Sequence, residues 1–217
     1  MSNGKIIAAP QPFKAVFLVG STGVGRRTAA KILGESDLGC KPVVMDAFHF
    51  ELRERCHAAN KLFDSQRLPA QANAFEATID EPNPLFGGLS PRVAYSKFAR
   101  YVNDAMGPEA MGRWVVQRLK FYRALQEERI APEKRVRSVV IFDDAPTASF
   151  QEVVNYIGAG NCTQILIRRD GISSLAVQLP GVRLCEVKNS GDGISAFELA
   201  IRKAAPHLFI QLATLEN

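Results

Sequence analysis

The nine residues Gly20 to Thr28, GSTGVGRRT, combine three glycines with two arginines and three hydroxyl side chains. That mixture suits phosphate chemistry. Glycines let a backbone wrap closely enough for successive N–H groups to converge on an anion. A helix predicted from Thr28 to about Gly34 adds the partial positive charge of its N-terminus. Arg26, directly after the last glycine, would neutralise the outer phosphates. Lysine is usual there; arginine carries the same charge as a planar fork that needs more room. Thr28 offers a hydroxyl for Mg²⁺. The candidate cofactor-binding segment is therefore Gly20, Ser21, Thr22, Gly23, Val24, Gly25, Arg26, Arg27 and Thr28. The competing reading is a glycine-rich strand-to-helix turn that holds no ligand.

A second group is the acid pair Asp143-Asp144, which closes the apolar run SVVIF. An acid at the end of a parallel strand faces the crevice where α/β sheets bind ligands, and it can hold Mg²⁺ directly or through water. The same acid can instead cap the next helix. Arg53, Arg92, Arg168 and Arg169 fall at or near predicted element ends. Phosphoryl transfer needs cations there, because charge migrates during the reaction. Singly, each arginine reads equally as a solvated charge. Asp46 suits either a helix cap or a substrate contact.

These residues need a scaffold, and the hydrophobic pattern supplies one. Apolar runs at Ala15–Val19, Pro42–Phe48, Ser138–Asp144, Thr163–Arg169 and Val182–Val187 read as strands buried on both faces. Helices are expected at 51–63, from Ser90-Pro91 to about Ala105, from about Glu109 to Glu128, at 149–157 and at 193–205. Ser90 reads as an N-cap with Pro91 in the first turn. The polar stretch 64–88 reads as a loop or short-helix insertion. Strands alternating with helices predict an α/β fold, a parallel sheet of about five strands with helices on both faces.

The chain has 217 residues, 47% hydrophobic and 23% charged, enough for one sizeable core. A net charge of +5 favours anionic ligands without choosing among them. No basic cluster interleaved with aromatics points to nucleic acid. Four dispersed cysteines and three histidines make no zinc spacing, so the cysteines are expected reduced and mostly buried. The N-terminal apolar stretch is too short for a signal peptide, and no run reaches membrane length. The expected location is the cytoplasm.

Several segments, in order, resemble the phage deoxynucleoside monophosphate kinase family of P-loop nucleotide kinases. GSTGVGRRTAA is similar to the family loop G-x-x-x-x-G-K-D-T-x-A. AFHFELRERC resembles its A-F-A-D-P-L-K segment, placing Arg53 on the family lysine. GGLSPRVAY resembles the L-S-P-R helix start and carries over Arg92. GPEAMGRWVVQRL is similar to G-P-D-x-W-V-R, which matches Trp114. VVIFDD matches a strand ending in aspartate, at Asp143. KNSGDGISAFE resembles the closing N-x-G turn and helix. The chain departs from the pattern at Arg26, at Phe50 in place of an aspartate, at Ala145 in place of an arginine, and near Asn103-Asp104 in place of a glycine-arginine pair.

The resemblance implies a single domain over 1–217, with a nucleotide-kinase core and a helical substrate-binding insertion over 52–128. It implies transfer of the ATP γ-phosphoryl group to a deoxynucleoside monophosphate in phage nucleotide metabolism, within the host cytoplasm if the protein is phage-encoded. Arg26 and Asp143 would be the catalytic pair, with Thr28 and Asp143 at Mg²⁺. Arg53, Arg92 and Trp114 would hold the acceptor. No nucleic-acid or membrane partner is expected, and a homodimer is compatible. The alternative is a degenerate kinase-like protein that binds nucleotide or a protein partner without turnover.

Overall fold

The computed structural model describes residues 13–36, 38, 41–45 (backbone), 53, 55–56, 78–131, 138–142, 147–173 and 177–209. The strands are β1 (Phe13–Val19), β2 (Lys41–Met45), β3 (Ser138–Phe142), β4 (Cys162–Arg168) and β5 (Arg183–Lys188). Each expected strand is present, shifted by a residue or two at its ends. Residues 46–48, expected to continue β2, and the acids Asp46, Asp143 and Asp144 lie outside the described residues. The helices are α1 (Arg26–Glu35), α2 (Pro91–Met106), α3 (Ala110–Arg129), α4 (Thr147–Ile157) and α5 (Ile194–Ala204). Most of the helix expected at 51–63 also lies outside, although residues 53, 55 and 56 are helical.

The sheet runs in the order β2-β3-β1-β4-β5, and every neighbouring pair is parallel. The fold is thus α/β with an all-parallel sheet; four of its strands have described side chains. β3 is buried along its whole length and β4 in all but its last residue, as a sheet covered on both faces requires.

Period-two alternation divides the strand residues between two cores. Val16, Leu18, Val139, Ile141, Ile165 and Ile167 face one side, where Ala29, Ala30, Ile32 and Leu33 of α1 and Phe197 and Ile201 of α5 cover them. Phe13, Ala15, Phe17, Val140 and Phe142 face the other, under α2, α3 and α4. The Phe17 and Phe142 rings stack at 5.2 Å. α3 comes very close to α4 at Gly112, where a Cβ would lie 2.4 Å from the Ser149 carbonyl oxygen. Only the smallest residue permits that approach.

Helix boundaries follow local chemistry. The Ser90 hydroxyl accepts from the Val93 N–H at 3.4 Å, and Pro91 opens α2, as the sequence predicts. α1 begins two residues earlier than its apolar pattern suggests. Gly25, with φ of 105°, is the N-cap, and both arginines belong to the first turn.

Candidate anion-binding site

β1 and β3 are hydrogen-bonded neighbours, with Phe17 opposite Phe142. Their onward connections diverge: β1 leads to α1 on one face of the sheet and β3 leads to α4 on the other. Where neighbouring connections part in this way, the strand ends leave a crevice, the usual ligand position in an open α/β sheet. The glycine loop occupies the β1 side of that divergence. Asp143, which follows Phe142, lies outside the described residues.

The loop lies tightly against the ends of β4 and β5. A Cβ on Gly20 would sit 2.6 Å from the Ile167 carbonyl oxygen. The Ser21 hydroxyl donates to the Ser173 carbonyl. Arg169 Nη1 donates to the Gly23 carbonyl at 3.2 Å, and Asn189 Nδ2 donates to the Val24 carbonyl at 2.8 Å. The Val24 N–H makes a long turn bond of 3.4 Å to Ser21 O.

The loop then enters α1, whose first backbone bond runs from the Ala29 N–H to the Gly25 carbonyl at 2.9 Å. Among the described residues no side chain caps this N-terminus, and its first turn contains no acid. The leading N–H groups of a helix have no intrahelical acceptors, so an uncapped first turn presents donors and partial positive charge. Arg26 is half-buried and Arg27 exposed. Arg26 and Arg27 put two cations in a first turn whose partial positive charge already favours anions.

Thr28 is half-buried, and its hydroxyl makes no hydrogen bond among the described residues. It is the third residue of α1 and therefore close to the loop. No group of three or more His, Cys, Asp or Glu is gathered among the described residues.

The other expected site residues are placed as follows. Arg92 is exposed and forms a bidentate pair with Asp80, at 2.5 and 3.0 Å. This pair holds the Asp80 carboxyl below its ordinary range. Arg53 is half-buried and acts electrostatically on the Tyr95 phenol, which burial pushes up to about 12. Trp114 is buried in the α2–α3–α4 core, with the Arg55 guanidinium 4.1 Å above its ring. A cavity of about 330 Å³ opens beside it, lined by Arg55, Trp114, Gln117, Arg118, Phe121 and Tyr122. An indole, two phenyl-type rings and two guanidinium groups suit a planar, anionic ligand.

Two further side chains hold the loop: Arg169, one of the element-end arginines, and Asn189. Arg168 and Arg169 look alike in sequence, yet they part at the end of β4. Arg168 pairs with Glu186 at 3.0 Å, whereas Arg169 turns to the loop. Asn189 was visible only within the N-x-G turn of KNSGDG. Its role required the fold, because its partner Val24 is 165 positions away.

The expectation about the cysteines holds where it is described: Cys56, Cys162 and Cys185 are buried and in no disulfide. Cys40 lies outside the described residues. No described helix is long and apolar enough to cross a membrane. The chain matches no protein-family model, and no curated protein matches it.

Proposed function

We propose that this protein binds MgATP on the Gly20–Thr28 loop and transfers the γ-phosphoryl group to a deoxynucleoside monophosphate. One observation carries the nucleotide part: the acid-free first turn of α1, bearing Arg26 and Arg27 directly after the glycine loop that follows β1. Its donors and cations suit a polyphosphate better than any neutral ligand. The acceptor part rests on the resemblance and is supported by the aromatic and cationic cavity beside Trp114. In this reading the finer architecture is a P-loop nucleotide-kinase core, with 52–128 as the substrate-binding insertion.

The protein's work is alignment and charge shielding rather than covalent chemistry. The loop N–H groups hold the donor phosphates, and Arg26 contacts the outer ones. Thr28 and Asp143 would hold the Mg²⁺, which would neutralise charge on the phosphate oxygens. Arg53, Arg92 and Trp114 receive the acceptor.

One observation favours the alternative, a kinase-like protein that binds nucleotide or a protein partner without turnover. Arg92, expected on the acceptor, is occupied by Asp80. An ADP-release assay with ATP, Mg²⁺ and each of the four deoxynucleoside monophosphates separates the two. Release dependent on one acceptor supports the kinase. MgATP binding with no release under any acceptor supports the alternative. Absence of both sinks the nucleotide reading.

A further inference from the structure

We infer that Arg169 and Asn189 are positioning residues that set the loop's shape before any anion arrives. The inference rests on the nucleotide reading above for its consequence, but not for its geometry.

The two side chains take the carbonyls of consecutive residues, Gly23 by Arg169 at 3.2 Å and Val24 by Asn189 at 2.8 Å. In a planar trans peptide the C=O and the next N–H point in opposite directions. Holding these carbonyls against β4 and β5 therefore turns the Val24 and Gly25 N–H groups away from those strands. Val24 spends its N–H inside the loop, on Ser21 O. The Gly25 N–H is left directed away from Asn189, at the entrance to α1.

Asn189 is built for this task. Its backbone N–H donates to Arg168 O at 2.8 Å, and its Oδ1 accepts from the Gly191 N–H at 3.1 Å. The amide oxygen is thus committed to its own turn, which leaves Nδ2 as the group that faces the loop. Neither end of the amide can be exchanged without placing like against like. Asn189 also explains Gly25: a Cβ there would meet Nδ2 at 2.6 Å.

Arg169 is steadied by the tight turn Arg169–Ile172, closed by the Ile172 N–H on Arg169 O at 3.1 Å. Ile172 in turn packs against the α1–α5 core. Neither residue needs to touch a substrate. Both act through the loop.

The test uses the full chain and the variants Asn189→Ala, Arg169→Ala and Arg169→Lys. Three quantities are measured: the thermal midpoint, hydrogen exchange of the 20–33 segment, and MgATP affinity by calorimetry. Asn189→Ala changes no charge, so any loss of affinity reads position. The expected result is faster exchange from Ala29 onward and affinity lower by roughly threefold to tenfold, the scale of one lost hydrogen bond. Arg169→Lys, which keeps a donor and the charge, should recover part of what Arg169→Ala loses.

Unchanged exchange in both alanine variants overturns the inference. So does unchanged affinity where the parent binds. If the parent binds no MgATP, the proposed function falls, and exchange alone decides whether these residues hold the loop. Should Asn189→Ala fail to fold, the comparison of Arg169→Ala with Arg169→Lys carries the same test.

Discussion

Asn189 Nδ2 stands 2.6 Å from the point where a Cβ on Gly25 would lie, while it donates to the neighbouring Val24 carbonyl at 2.8 Å. The space beside Gly25 is thus filled by the protein itself. Gly23 differs: its φ is also positive, at 87°, but a Cβ would meet only Ile172 Cδ1 at 3.7 Å. Alanine at either position bears the left-handed backbone cost of about 1–2 kcal/mol. Gly23→Ala should therefore lower the thermal midpoint by roughly 2–8 °C for a chain of this size. Gly25→Ala should lower it further, because Asn189 must also move. Equal shifts in calorimetric scans would mean that Asn189 gives way at no cost.

Arg26 and Arg27 should separate in function. Arg26 is half-buried and directly follows the loop, whereas Arg27 is exposed and about 100° further round the helix. Arg26→Ala should weaken MgATP binding by roughly tenfold to a hundredfold, the loss expected for a charge-assisted contact. Arg26→Lys should keep binding or improve it, since a compact ammonium suits such a loop. Arg27→Ala should have a small effect. Titration calorimetry on the three variants and the parent decides the matter. Unchanged affinity in Arg26→Ala removes Arg26 from the site.

Trp114 is the chain's single tryptophan and lines the cavity with Arg55 and Arg118. Its fluorescence therefore comes from a ring on the wall of that cavity. Deoxynucleoside monophosphates should change its intensity in a saturable way, and Arg118→Ala, which removes a cation from the lining, should weaken the response. A flat titration with all four would place the acceptor elsewhere or exclude it.

His207 gives the fold an acid-side sensitivity. Its ring nitrogen lies 3.0 Å from the Thr163 hydroxyl. Burial first, then the charges of Arg183 and Lys14, push its pKa below the ordinary histidine value. The unfolded chain then binds the proton more readily than the folded one. The contribution to stability is complete above the unfolded value of about 6.5 and is lost as pH falls below it toward the folded value. His207→Gln should flatten the fall in thermal midpoint as pH drops below about 6.5. An identical pH profile in the variant would exclude His207 as the source.

Much of the scaffold was legible in order along the chain. The five strands are short apolar runs bounded by glycine, proline or charge, and each begins within two residues of its expected start. The α2 start was readable from Ser90-Pro91, because capping is a contact between residues three apart. The loop itself was readable, since its glycines, strand and helix are contiguous. The start of α1 was read too late. Apolar periodicity begins inside the helix, whereas the cap is a backbone geometry at Gly25 that leaves no hydrophobic trace.

What spacing could not determine is which side chains meet across the fold. Arg168 and Arg169 are neighbours of one type, but strand alternation at the end of β4 sends one to Glu186 and the other to the loop. Arg92 carries the same helix-start motif whether it faces a substrate or, as it does, Asp80. Asn189 reaches Val24 only because β4 lies between β1 and β5 in the sheet and carries the β5 turn round to the glycine loop. Periodicity, capping and turn chemistry act over a few residues and are written locally in the sequence. Strand order and side-chain pairing depend on which distant segments share an edge, and that is decided when the two apolar faces of the sheet are buried together.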